Sequence, residues 1–264
     1  MIRVCIIGNS HVAALKHGAE SLCKRHPDLQ LGFFAARSNK TGGLAVADGV
    51  YRPTNDALAD QLALTSGGQR EIDPTDWDAF LIYGFGGRPQ PGDFAKGLSR
   101  NFRRDLFAQR LSRSLLPQHL KALRELTDAP VFAALAPLLA QIPDARRNRL
   151  LHHREEVALV QSRFCDPYSA RLISQPDATT YKDLYTLPKF NTRSVPLENA
   201  HADAGSRHDD RDRQHMNSRY GVVWWEHFLP ILQAALPQTK QLQSDKTALP
   251  LSLRRVLGLQ DQIG

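Results

Sequence analysis

The stretch Ile2-Arg3-Val4-Cys5-Ile6-Ile7-Gly8-Asn9-Ser10-His11-Val12-Ala13-Ala14-Leu15 decides the fold. Ile2 to Ile7 is a short apolar run rich in β-branched residues, the pattern of a buried strand. Gly8, Asn9 and Ser10 break it. From Ser10 the period becomes helical, with Val12, Leu15, Ala19 and Leu22 at spacings of three and four until Pro27. A strand, a tight polar turn and a helix begin an α/β domain.

The rest of the chain repeats that alternation. Leu29 to Ala36 is a second apolar run, and the polar stretch after it, with Gly42 and Gly43, reads as a long loop. Asp78 to Tyr83 is a third strand, ending in Gly84-Phe85-Gly86-Gly87. Leu98, Phe102, Leu106, Leu111 and Leu115 recur at helical spacing, and Pro117 opens a second helix carrying Leu120 and Leu123. Val131 to Leu135 is a fourth strand, Arg149 to Phe164 a helix, and Ala170 to Ser174 a short fifth strand. Asn217 to Leu236 is a helix with the apolar stripe Tyr220, Val223, Trp224, Phe228 and Ile231. Strands alternating with helices predict a parallel sheet in one domain spanning 1–236, with a basic helical segment at about 92–126. Residues 176–213 read as an irregular connection and 237–264 as a weakly packed tail.

Composition excludes several classes. The 264 residues are 42% hydrophobic and 23% charged, which is neither disordered, collagenous nor coiled-coil. Cys5, Cys23 and Cys165 form no CxxC pair, so neither a disulfide framework nor a structural zinc site is expected. No run approaches the roughly 20 apolar residues of a membrane span, and Val4 to Ile7 is too short for a signal-peptide core. The cytoplasm is the default expectation. Of the net charge of +7, residues 100–125 contribute +5 (seven basic, two acidic) and residues 240–264 contribute +2. A solvated helix face is the ordinary reading, a docking surface for an anionic polymer the other; with no nucleic-acid motif present, nucleic acid is not an expected partner.

Open α/β sheets gather ligands beyond the carboxyl ends of their strands. Ser10 stands there, directly after the first strand and at the expected N-cap of the first helix, so it is either a cap or a nucleophile. At the other end lies Asp212-Arg213-Gln214-His215-Met216-Asn217, at the start of the last helix. An Asp three residues before a His can fix the imidazole's tautomer while the other ring nitrogen faces a nucleophile. Alternatively both merely solvate a polar loop that also holds His201, His208, Asp209 and Asp210. His11 faces away from its neighbour Ser10 and reads as a rim or packing residue. His152, His153 and His201 lack metal-site spacing, and Trp224 and Trp225 read as helix packing, with Trp225 lining the site if it faces His215.

Together, Ile6-Ile7-Gly8-Asn9-Ser10-His11 and Asp212-x-x-His215, continued by Asn217, Tyr220-Gly221 and a Trp-containing helix to Leu229-Pro230, resemble the SGNH (GDSL-like) hydrolase family. Asn9 stands where the family usually has Asp. The resemblance implies a flavodoxin-like three-layer α/β/α sandwich with a mainly parallel five-stranded sheet. It implies a serine hydrolase of esterase or carbohydrate O-deacetylase type, with Ser10 as nucleophile, His215 as base, Asp212 as its partner, and neither cofactor nor metal. The substrate class would be a small-molecule or carbohydrate ester. The family's oxyanion hole adds a glycine amide and an asparagine side chain to the nucleophile's own amide. Gly43, with Gly42 as rival, is the candidate glycine. Gly84-Phe85-Gly86-Gly87 lacks the asparagine, and the Gly86 amide is its candidate replacement, unless these glycines serve only a tight turn. An acyltransferase on the same residues, or a catalytically weak binding protein, are the alternatives.

Overall fold

The computed structural model describes residues 1–86, 97–140, 151–197, 207–209 and 211–237. Gly87, His201, Asp210, the start of the expected basic segment and all but the first residue of the expected tail lie outside them. In chain order the described elements are β1 (Ile2–Gly8), α1 (Val12–Arg25), β2 (Leu29–Ala35), β3 (Leu44–Ala47), β4 (Val50–Pro53) and α2 (Asp56–Ser66). They continue as β5 (Ala79–Tyr83), α3 (Arg100–Ser112), α4 (Leu115–Leu126), β6 (Val131–Ala134), α5 (His153–Val160) and β7 (Ala170–Leu172). The last are β8 (Thr180–Tyr181), β9 (Tyr185–Thr186) and α6 (Ser218–Ala235).

Five strands form one parallel sheet in the order β2-β1-β5-β6-β7, the doubly wound order that places a crevice where the winding reverses beside β1. Side chains alternate between two cores. Val4, Ile6, Leu81 and Phe132 face a layer made of α1 and α6; Cys5, Ile7, Phe80, Ile82 and Ala133 face the layer that includes α2, α3, α4 and α5. Burial on both faces is why β1, β5 and β6 appear in the sequence as unbroken apolar runs. The expected α/β class, five-stranded sheet and three layers are what the structure shows.

Three expectations need correction. The stretch after β2 is not a plain loop: a 3-10 turn at Lys40–Gly43 leads into the β3–β4 hairpin and then α2. Asp48 (φ 51°) and Gly49 (φ 77°) form the hairpin's tight turn, for which Asp-Gly is suited. The helix expected at 149–164 is described as α5 followed by a wider π turn at Gln161–Cys165. The connection at 176–213 contains the β8–β9 pair.

Two ion pairs tie the basic segment to neighbouring elements, one bringing an acid and the other a base, so together they leave its net charge unchanged. Arg100 pairs with Glu155 and Arg163 of the π turn with Asp105, while Arg124 donates to the carbonyls of Tyr168 and Thr127. No helix among the described residues is long and apolar enough to cross a membrane.

Helices α1 and α6 form the most extensive helix–helix contact among the described residues. Gly18 and Gly221 meet there backbone to backbone: a Cβ on Gly221 would lie 1.9 Å from the Ala14 carbonyl oxygen, and one on Gly18 would lie 2.5 Å from the Gly221 carbonyl carbon. Glycine at both positions lets two helices from opposite ends of the chain cross at close range. Trp225 closes the contact by donating its indole N–H to the Leu15 carbonyl at 2.8 Å.

Candidate active site

Gly8 ends β1 level with Ala35 of β2 and Tyr83 of β5. A Cβ there would strike Val12 at 2.3 Å and the Tyr83 carbonyl oxygen at 2.6 Å, so the chain can turn tightly above the sheet only with glycine. Asn9 then locks the turn. Its side-chain N–H donates to the Gly84 carbonyl at 2.8 Å, and its Oδ1 accepts from the His11 amide at 3.1 Å. An amide serves both partners, whereas a carboxylate could only accept. Gly84, at φ 91°, has no room for a Cβ beside Asn9 Oδ1.

Ser10 emerges from this turn, and the capping expectation fails: α1 starts at Val12 without any side-chain cap. The Ser10 hydroxyl instead lies 2.9 Å from His215 Nε2. His215 Nδ1 lies 2.6 Å from Asp212 Oδ2. An ionised carboxylate only accepts, so the ring proton sits on Nδ1 and Nε2 is left to accept from the serine. Asp212 holds its own loop as well, its Oδ1 accepting from the amides of Gln214 at 2.7 Å and His215 at 3.0 Å. Burial pushes this carboxyl up, but the His215 ring bond and the two amides outweigh it and hold it well below the usual carboxylate range.

Surrounding residues fix His215. Asn217 caps α6 by accepting from the Tyr220 amide at 3.2 Å and donates to the carbonyls of Lys189 and Thr192. Asn191 donates to the His215 carbonyl at 2.7 Å. The His215 ring lies between two others: His11 stacks at 5.2 Å and 28°, and His208 at 4.0 Å and 4°. His208 Nδ1 is 3.4 Å from Asp212 Oδ2, the oxygen that His215 also uses. Burial and the charge of His215 hold the His208 pKa below the ordinary imidazole range.

The expected oxyanion glycines sit in two loops. The Gly42 amide donates to the Asn39 carbonyl, and Gly42 and Gly43 both belong to the 3-10 turn at Lys40–Gly43. Gly43 closes the 3-10 turn against Leu58 and Thr54. That turn is held from α4: Gln118 donates to the Gly42 carbonyl, and buried His119 bridges the Thr41 and Tyr51 hydroxyls. Gly86 has φ 78°, and a Cβ there would strike Leu111 at 2.2 Å, so the tight-turn requirement is real at this position. Trp224 and Trp225 are both buried in the core, as packing residues.

His208, Asp212 and His215 are also the one group among the described residues whose donor atoms lie close enough to share a metal ion. The geometry does not suit one. An imidazole lone pair lies in the ring plane, and two parallel rings stacked 4.0 Å apart cannot both hold one ion in plane. The arrangement fits protons instead. Sequence reasoning missed His208, Asn191 and the double role of Asn9; the only signal for His208 was its position four residues before Asp212.

No family model matches this chain, and no curated protein matches its sequence. Among solved structures, the periplasmic domain of a lipopolysaccharide acetyltransferase from Salmonella ser. Paratyphi A is similar at a TM-score of 0.48 and 12% identity, covering 87% of this chain and 83% of that one.

Proposed function

We propose that this protein is a serine hydrolase of the SGNH type that cleaves an ester of a small molecule or carbohydrate through an acyl-enzyme on Ser10. The observation that carries the reading is the continuous hydrogen-bonded line from Ser10 Oγ through His215 to Asp212. His215 Nε2 takes the hydroxyl proton as Ser10 attacks the ester carbonyl, and Asp212 stabilises the imidazolium across the short Nδ1 bond. The imidazolium then returns the proton to the departing alcohol. A second half-reaction repeats the cycle with water, releasing the acid and freeing Ser10.

The oxyanion falls to backbone amides, those of Ser10, Gly43 and Gly86 in this reading, with no asparagine side chain among them. An aligned base and carboxylate favour turnover over a purely binding role. A fluorophosphonate probe should label the wild type at Ser10 and leave Ser10→Ala unlabelled, and hydrolysis of a short-chain aryl ester should vanish in the same variant. Folded wild-type protein that neither reacts nor hydrolyses would sink the proposal. Measuring free acid against acylated sugar in the presence of a sugar acceptor separates hydrolysis from acyl transfer.

A further inference from the structure

We propose that His208 is a positioning residue of this site, a neutral imidazole that lies flat on His215, shares its carboxylate and fixes the plane in which the base meets Ser10. The inference rests on the serine-hydrolase reading and deepens it. Three observations carry it. The two rings are parallel within 4° at 4.0 Å, the closest ring contact His215 makes among the described residues. His208 Nδ1 lies 3.4 Å from the same Asp212 oxygen that binds His215, so both rings sit against one carboxylate. The segment carrying His208 is anchored, its amide donating to the Ser194 carbonyl at 3.0 Å.

Among the described residues, the charged and titratable groups facing His208 are His215, Asp212 and the Arg37 guanidinium. Two protonated imidazoles stacked at 4.0 Å would repel each other strongly, and Arg37 adds to the cost. Each ring keeps one N–H, the pair therefore carries at most one positive charge, and His208 is the ring left neutral. When His215 accepts the Ser10 proton, a neutral aromatic face already covers the new imidazolium, which favours the charge and keeps the ring from tilting. A charged residue at position 208 would oppose the same step.

The test compares His208→Ala, His208→Phe and His208→Lys with wild type in rate of fluorophosphonate labelling at Ser10, with imidazole nitrogens followed by NMR across pH. Loss of the stacked ring in His208→Ala should slow labelling about three- to tenfold, the usual scale of one aromatic contact. His208→Phe restores the flat ring without the N–H and should recover most of that loss. His208→Lys should be slower than His208→Ala. In wild type, His208 should stay neutral below the ordinary imidazole range, and in His215→Phe it should take a proton more readily.

Wild-type labelling rates in His208→Ala, no recovery in His208→Phe, or two imidazoles that titrate independently would each overturn the inference. Should His208→Ala fail to fold, the NMR titration of wild type decides alone. Failure of wild type to react at Ser10 counts against the hydrolase reading, and the ring titrations still report separately on the pairing.

Discussion

Replacing Gly221 by alanine puts a methyl carbon 1.9 Å from the Ala14 carbonyl oxygen, a contact no folded protein tolerates. The struck atom is helix backbone and cannot swing aside, so α6 must move away from α1 by about 1 Å. Overpacking of this kind costs roughly 1–3 kcal/mol, and the absence of a flexible neighbour places Gly221→Ala at the upper end. The same movement acts on chemistry, because the helix that shifts starts at Ser218, three residues after His215, while Ser10 precedes the helix that stays. A displacement of about 1 Å between nucleophile and base lowers turnover on the order of 10²-fold.

Urea unfolding followed by circular dichroism gives the stability, and fluorophosphonate labelling at Ser10 gives the rate. Gly18→Ala strikes the same crossing from the other side, with its Cβ 2.5 Å from the Gly221 carbonyl carbon. Once one substitution has parted the helices, the second adds little, so the double variant should be destabilised by clearly less than the two single changes together. Stability of Gly221→Ala within about 0.5 kcal/mol of wild type would refute the packing argument. Lost stability with an unchanged labelling rate would refute the link between this crossing and the site.

Three further outcomes are expected. Asp212→Asn removes the charge behind the imidazolium and should slow Ser10 labelling by on the order of 10³-fold or more while the protein stays folded, checked by parallel thermal melts. Asn9→Asp sets a carboxylate against the Gly84 carbonyl in place of an N–H donor and should cost about 1–3 kcal/mol in urea unfolding; a neutral result would show that the turn does not depend on that bond. His119 is fully buried and its pKa is pushed down to about 3 by burial, so the unfolded chain binds a proton at a pH where the folded one does not. Stability should therefore fall as pH drops below about 6.5, by about 1 kcal/mol over the first unit. His119→Phe should flatten that slope, which unfolding curves at several pH values would reveal.

The central sheet was legible because β1, β5 and β6 are buried on both faces, leaving apolar runs closed by Gly8, Gly84 and Pro137. The β3–β4 hairpin was not recognised, although Asp48-Gly49 is a strong turn signal, because each flanking strand is only four residues long and β3 is largely solvent-facing. Asp212 and His215 were legible because they stand three positions apart, and that spacing is local. Whether Ser10 caps a helix or meets His215 depends on a contact across 205 positions, and no local pattern settles it. The stacking of His208 on His215 was invisible for a different reason: it arises in an irregular segment, where no period relates residue number to direction.

The crossing at Gly18 and Gly221 also orders events during synthesis. Ser10 and its turn leave the ribosome early, but His215 arrives only with the last described helix, after every strand of the sheet has been made. On the proposed mechanism a nascent chain carries Ser10 without the imidazole that would activate it, and reactivity should appear only when α6 docks on α1. For this protein, labelling at Ser10 would be a readout of completed folding as well as of chemistry.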